Sequence, residues 1–207
     1  MQNPTMLSVA LKEWDLLISA LLEGRQALLL RKGGILESEN QFELEHPAFL
    51  FYPTFVHQDP RMVKSAFRRD ITQAAEPEVV TLRGYGTVAR IFEVPSRRQL
   101  EALDDLHLWD APLLDMRFHY RPEKPLYLVV VRAFKLPGPV TIPNTLDYAG
   151  CRSWVPLKQA IDIGGASAVL PAARIDSLVR RIAETFSDTT AVGAAPNPPS
   201  LTPQANG

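Results

Sequence analysis

Four groups of side chains have types and spacings that could do chemistry. The first is Arg31-Lys32-Gly33-Gly34, where two cations and two flexible glycines follow an apolar run. Backbone N–H groups and cations at such a strand end can approach a phosphate, although a plain turn with solvated charges has the same composition. The second is Glu43, Glu45, His46 and His57, residue types that ligate divalent metals. Glu43 and Glu45 would share one face of a strand, and a metal-dependent hydrolase could be built on this set; a capping His46 and a polar loop His57 account for it equally. The third is His57-Gln58 with Arg61, Lys64 and Arg68, whose three cations fall in one stripe if Asp59-Pro60 starts a helix. The fourth surrounds His107 and Trp109 and continues through Arg117, His119, Tyr120 and Arg121. If Leu113–Tyr120 is a strand, Arg117, His119 and Arg121 project from one face as an anion-binding surface, unless Asp104, Asp105 or Asp110 neutralises them.

Other chemistries are not supported by spacing. Cys151, beside Arg152, lacks a base nearby in sequence, and a buried inert thiol is the simpler reading. No Gly-x-Ser-x-Gly elbow occurs. The residues two before Lys12, Lys32, Lys64, Lys124, Lys135 and Lys158 are Ala10, Leu30, Met62, Pro122, Ala133 and Pro156, so the acidic-x-lysine pattern of restriction-type nucleases is missing. Neither a P-loop nor a dinucleotide fingerprint is present, and no cofactor is expected.

The elements that must position these groups follow from apolar periodicity. Leu7, Ala10, Leu11, Trp14, Leu17, Ile18, Leu21 and Leu22 predict one amphipathic helix closed by Gly24. Gln26–Arg31 predicts a buried strand, Gln41–Leu44 a short extended piece, and Phe49–Phe55 an aromatic core segment stopped by Pro53. Glu78–Val94 predicts two strands or one bent strand around Gly84-Tyr85-Gly86. Ser96 caps a helix from Arg97 to about Leu106. Leu113–Tyr120 and Leu126–Leu136 predict a hairpin, Tyr148–Leu157 a turn and short strand, and Ala172–Phe186 a closing amphipathic helix. Helices and strands mix without a βαβ rhythm. The expected fold is α+β, a mostly antiparallel sheet or partial barrel flanked by N- and C-terminal amphipathic helices.

Composition sets the outer bounds. In 207 residues with 46% hydrophobic content there is enough apolar material for one core, read as a single domain over 1–187. Residues 188–207 carry no aromatic side chain and no charge after Asp188, so they are expected to be a disordered tail. No apolar run approaches the roughly 20 residues needed to span a bilayer, and Lys12, Glu13 and Asp15 interrupt any signal-like segment, which points to a cytoplasmic protein away from membranes. With 22 basic and 23 acidic residues the net charge is −1, so a nucleic-acid site would have to be a local patch.

Four ordered segments, Ala10-Leu-Lys-Glu-Trp14, Leu28-Leu-Leu-Arg-Lys-Gly-Gly-Ile35, Pro53-Thr-Phe-Val-His-Gln58 and Tyr148-Ala-Gly-Cys-Arg-Ser-Trp154, resemble the bacterial family called domain of unknown function 1802, found often in cyanobacteria. That likeness covers about Leu7–Leu157 and implies no activity. Leu11-Lys12-x-Trp14, Ile18, Gly24 and Arg31 are also similar to the opening of ASCH domains, which implies a PUA-like fold associated with RNA. Gln26 and Leu29 depart from the lysine and glutamate of that opening. Together these readings favour a non-catalytic module binding RNA or single-stranded DNA in a basic, aromatic cleft, with Arg31, Lys32, His57, Gln58, Arg61, Lys64, Arg68, Arg117, Tyr120, Arg121 and Trp154 as contacts. The alternatives are the metal-dependent hydrolase on Glu43, Glu45, His46 and His57, and a protein-interaction module meeting its partner near Tyr52 and Trp154.

Overall fold

The elements, in chain order, are β1 (Met6–Trp14), α1 (Asp15–Leu22), β2 (Leu28–Arg31), β3 (Ile35–Ser38), β4 (Gln41–Leu44), β5 (Ala48–Thr54), β6 (Val79–Glu93), α2 (Arg97–Glu101), α3 (Ala111–His119), β7 (Tyr127–Pro143), β8 (Trp154–Asp162), β9 (Ser167–Ala168) and α4 (Ala172–Ser187). They come from a computed structural model that describes residues 5–32, 35–38, 41–72, 75–148 and 153–187, the side chains of 35–38 and 41–43 excepted. Residues 188–207 and Cys151 lie outside the described residues.

The long first helix is corrected to a strand and a shorter helix. β1 pairs in parallel with β5 and antiparallel with β8, so both its edges are hydrogen-bonded and Leu7, Ala10 and Leu11 are buried. A register shift between Leu7 and Val9 changes the facing within the strand, which gives the apolar spacing that also suits a helix. Only Asp15–Leu22 is helical, burying Leu17, Ile18, Leu21 and Leu22, and the chain leaves it through Gly24 at φ 72°.

β6 and β7 form the spine, antiparallel from Val79↔Pro143 to Glu93↔Tyr127 with two register shifts. The sheet runs β2-β7-β6-β5-β1-β8, with β9 on β7, and it does not close; β3 and β4 make a separate hairpin. The α+β, mostly antiparallel expectation therefore holds, with one parallel pair inside it. Pro53 does not stop β5, because β6 pairs with that strand only as far as Leu50 and leaves the opposite edge free at the proline.

β2 shows how the core is divided. Leu28 and Leu30 face one apolar cluster with α3 and α4, while Leu29 faces another containing Leu11, Phe49, Phe51 and Val129. Alternation along a strand buried on both faces places these residues. Arg31, which ends the strand, is only 9% exposed.

Two further local expectations are corrected. Leu113–Tyr120 belongs to helix α3, with Asp110 accepting a hydrogen bond from Ala111 N and Pro112 in the first turn. The segment after Asp59 is two 3-10 turns, Pro60–Met62 and Ser65–Asp70, rather than one α-helix, because Val63 bridges to Trp109 between them.

Candidate nucleic-acid interface

At the end of β2, Arg31 is brought near α3 and the end of β1. Burial holds its guanidinium below the usual arginine value; the Glu13 carboxylate opposes that shift and the neighbouring Arg117 adds to it. The Nε atoms of Arg31 and Arg117 are both buried without a hydrogen-bond partner. Glu13, Trp14, Leu17, Leu30, Trp109, Leu113 and Arg117 line the adjoining cleft, whose free volume of about 10 Å³ holds at most one water molecule. A ligand must therefore approach Arg117 from outside this cleft.

Lys32 points the other way along the chain. Its Nζ donates to the Phe118 carbonyl at 3.4 Å and the Arg121 carbonyl at 2.9 Å, satisfying oxygens that the end of α3 leaves without helical partners. Arg121 has φ 48°, and its guanidinium carbon lies 5.2 Å from the centre of the Tyr120 ring. Tyr120 itself is 51% exposed, and Met116, one turn earlier, is 40% exposed. Arg31, Lys32, Arg117, Tyr120 and Arg121 thus converge at one end of the sheet. They do so through a helix end, so the expectation that Arg117, His119 and Arg121 share one strand face is overturned: Arg117 and His119 stand about 200° apart on α3.

The cations of the 3-10 segment have a different environment. Arg61 pairs with Asp59 at 2.7 Å, Lys64 with Asp104 at 2.9 Å and Arg68 with Asp110 at 3.1 Å. Lys64 also donates to the His107 carbonyl, and Arg68 to that of Val63. Gln58 is buried and joins three segments: its Oε1 accepts from Leu16 N, and its Nε2 donates to the carbonyls of Phe55 and Thr72. His57, exposed beside it, has φ 63°. Trp154 sits on the far part of the sheet, edge-on to His46 at 5.0 Å and to Phe49 at 5.4 Å. The aromatic segment is interior, as expected of a core segment, since Phe49, Phe51 and Tyr52 are at most 1% exposed, and it offers no stacking surface.

His46 lies 3.8 Å from the Glu45 carboxylate, and the Glu43 side chain is outside the described residues. Among the described residues no group of three or more His, Cys, Asp or Glu could hold a metal ion. His107 has a role that the sequence reading missed. Its ring is 4% exposed and lies 4.8 Å from Trp109. Burial, reinforced by the Lys64 charge, pushes its pKa down to about 4.

No helix among the described residues is long and apolar enough to cross a membrane. No curated protein matches the chain in sequence. The fold is similar to crystal structures of ASCH from Zymomonas mobilis: one has 11% identity over 83% of this chain and 93% of that one, with a TM-score of 0.39. A mutant of the same protein has 12% identity over 86% of this chain and 99% of that one, also at 0.39. The pattern for a domain of unknown function (DUF1802) matches residues 10–181, which is most of the sequence, and the chain belongs to that family.

Proposed function

We propose that this chain is a binding module for single-stranded nucleic acid, either RNA or single-stranded DNA, and that the ligand's backbone meets the end of the sheet where β2 and α3 join. The observation that carries this reading is the pair of neighbouring arginines, Arg31 and Arg117, whose buried Nε donors have no acceptor. An unmade hydrogen bond of this kind costs about 1–3 kcal/mol, and the half-buried Arg117 has further guanidinium N–H groups that can donate to a phosphate oxygen approaching from outside the cleft. Lys32 and Arg121 add positive charge beside it, and Tyr120 adds an exposed ring. Arg61, Lys64 and Arg68 form a flank whose field is reduced by Asp59, Asp104 and Asp110. His57, Gln58 and Trp154 are supports or outlying contacts in this reading, and Gln58 holds the loop behind the flank.

The test is a salt series with a mixed-sequence, fluorescently labelled oligonucleotide, read by anisotropy. Removing one cation that meets a phosphate lowers the slope of log affinity against log salt by about 0.7 for a single strand. Arg117→Ala is expected to reduce the slope by about that amount. Arg61→Ala combined with Lys64→Ala should change it less, because both cations already have carboxylate partners. No detectable binding at low salt, or a slope indifferent to Arg117→Ala, would overturn the reading.

A further inference from the structure

The turn that ends α3 is strained at a place where nothing in the fold compels a non-glycine residue. Arg121 occupies the left-handed region at φ 48° immediately before Pro122. A side chain there is disfavoured relative to glycine, and a following proline restricts the same residue further. Strain of this kind persists only where the surroundings hold it. The holding contacts are visible: the Lys32 ammonium donates to the carbonyls of Arg121 and Phe118, and Lys124 N donates to the Arg121 carbonyl at 2.9 Å. The result is an exposed Tyr120 ring with the Arg121 guanidinium near its face.

Resting on the nucleic-acid reading above, we propose that Tyr120 is a stacking platform for one unpaired base of a single strand, and that Lys32 is its positioning residue rather than a phosphate ligand. Base–aromatic stacking needs a base free of its own neighbours, which a duplex does not offer. The Arg121 guanidinium orients the ring and adds cation–π character to the stack. Lys32 has its ammonium directed at carbonyl oxygens, which leaves it poorly placed to meet a phosphate but well placed to fix the turn. Arg117, in the last turn of α3 and three residues before Tyr120, is the cation available to the phosphate next to a stacked base.

The full chain is titrated with a single-stranded DNA oligonucleotide and with the same strand carrying abasic tetrahydrofuran residues in place of its nucleotides' bases. Tyr120→Ala, a change at an exposed side chain, is expected to weaken binding of the intact strand by about tenfold and of the abasic strand hardly at all. Lys32→Ala is expected to give the same pattern, and Lys32→Arg to recover most of it. Equal loss on both strands from Tyr120→Ala, or none on either, overturns the platform. Equal loss on both strands from Lys32→Ala makes Lys32 a phosphate ligand and overturns its positioning role. If the unsubstituted chain binds neither strand, it is the nucleic-acid reading that fails.

Discussion

His107 is a side chain whose chemistry the fold alters, and the change has a measurable consequence for stability. Its folded pKa of about 4 lies below the ordinary 6.5, so between those values the unfolded chain binds a proton that the folded chain refuses. The stabilisation is complete above pH 6.5 and is lost as pH falls toward 4, by roughly 3 kcal/mol in total. Urea unfolding at pH 7 and pH 4.5 should show this decline, and His107→Phe should flatten it; an unchanged slope would remove the residue from the account. The sequence shows a histidine two residues before a tryptophan but not its burial, which arises where Val63 bridges to Trp109 and Lys64 N donates to the Leu108 carbonyl, contacts distant in sequence. Arg31 is a parallel case. It ends an apolar run and looks like the first solvated residue, yet it is buried at the end of β2, and only the position of α3 reveals Arg117 as its neighbour.

At the scale of elements, the legible parts were those with an end signal that was read. Ser96 accepting from Gln99 N, Gly24 after α1 and the Ile175/Ile182 face of α4 all appear where the pattern places them. α3 has such a signal too, Asp110 followed by Pro112, but the turn residues between Tyr120 and Leu126 suggest a hairpin and hence a strand. β1 had no signal to separate its period from that of a helix, since its neighbours β5 and β8 are supplied by residues far along the chain. The β6–β7 spine depends on a feature the sequence marks clearly: a Cβ on Gly84 would stand 2.3 Å from the Phe134 carbonyl oxygen and 2.4 Å from Leu22 Cδ2. The paired backbone of Phe134 cannot retreat without breaking the ladder. Gly84→Ala is therefore expected to lower stability by about 3 kcal/mol, visible as a shifted denaturant midpoint, whereas Gly138→Ala, with nothing within 4 Å of the new methyl, should be nearly silent.

For the whole molecule, a net charge of −1 means that a polyanion is drawn only to a local region, so binding should weaken steeply with salt while nonspecific attraction elsewhere stays small. The composition of residues 188–207 leads to a separate expectation: a chain ending at Ser187 should unfold at the same temperature, by circular dichroism, as the full chain. A midpoint several degrees lower would show that this segment contributes to the folded state. The placement of β1 also bears on how the protein is made. This strand leaves a ribosome well before one of its partners, β8, residues 154–162. Until β8 is made, the nascent chain carries an apolar, half-paired strand edge, and the β1–β8 pairing joins segments far apart in sequence. The sheet can be completed only once β8 is available, and until then the open edge of β1 is exposed to wrong pairing.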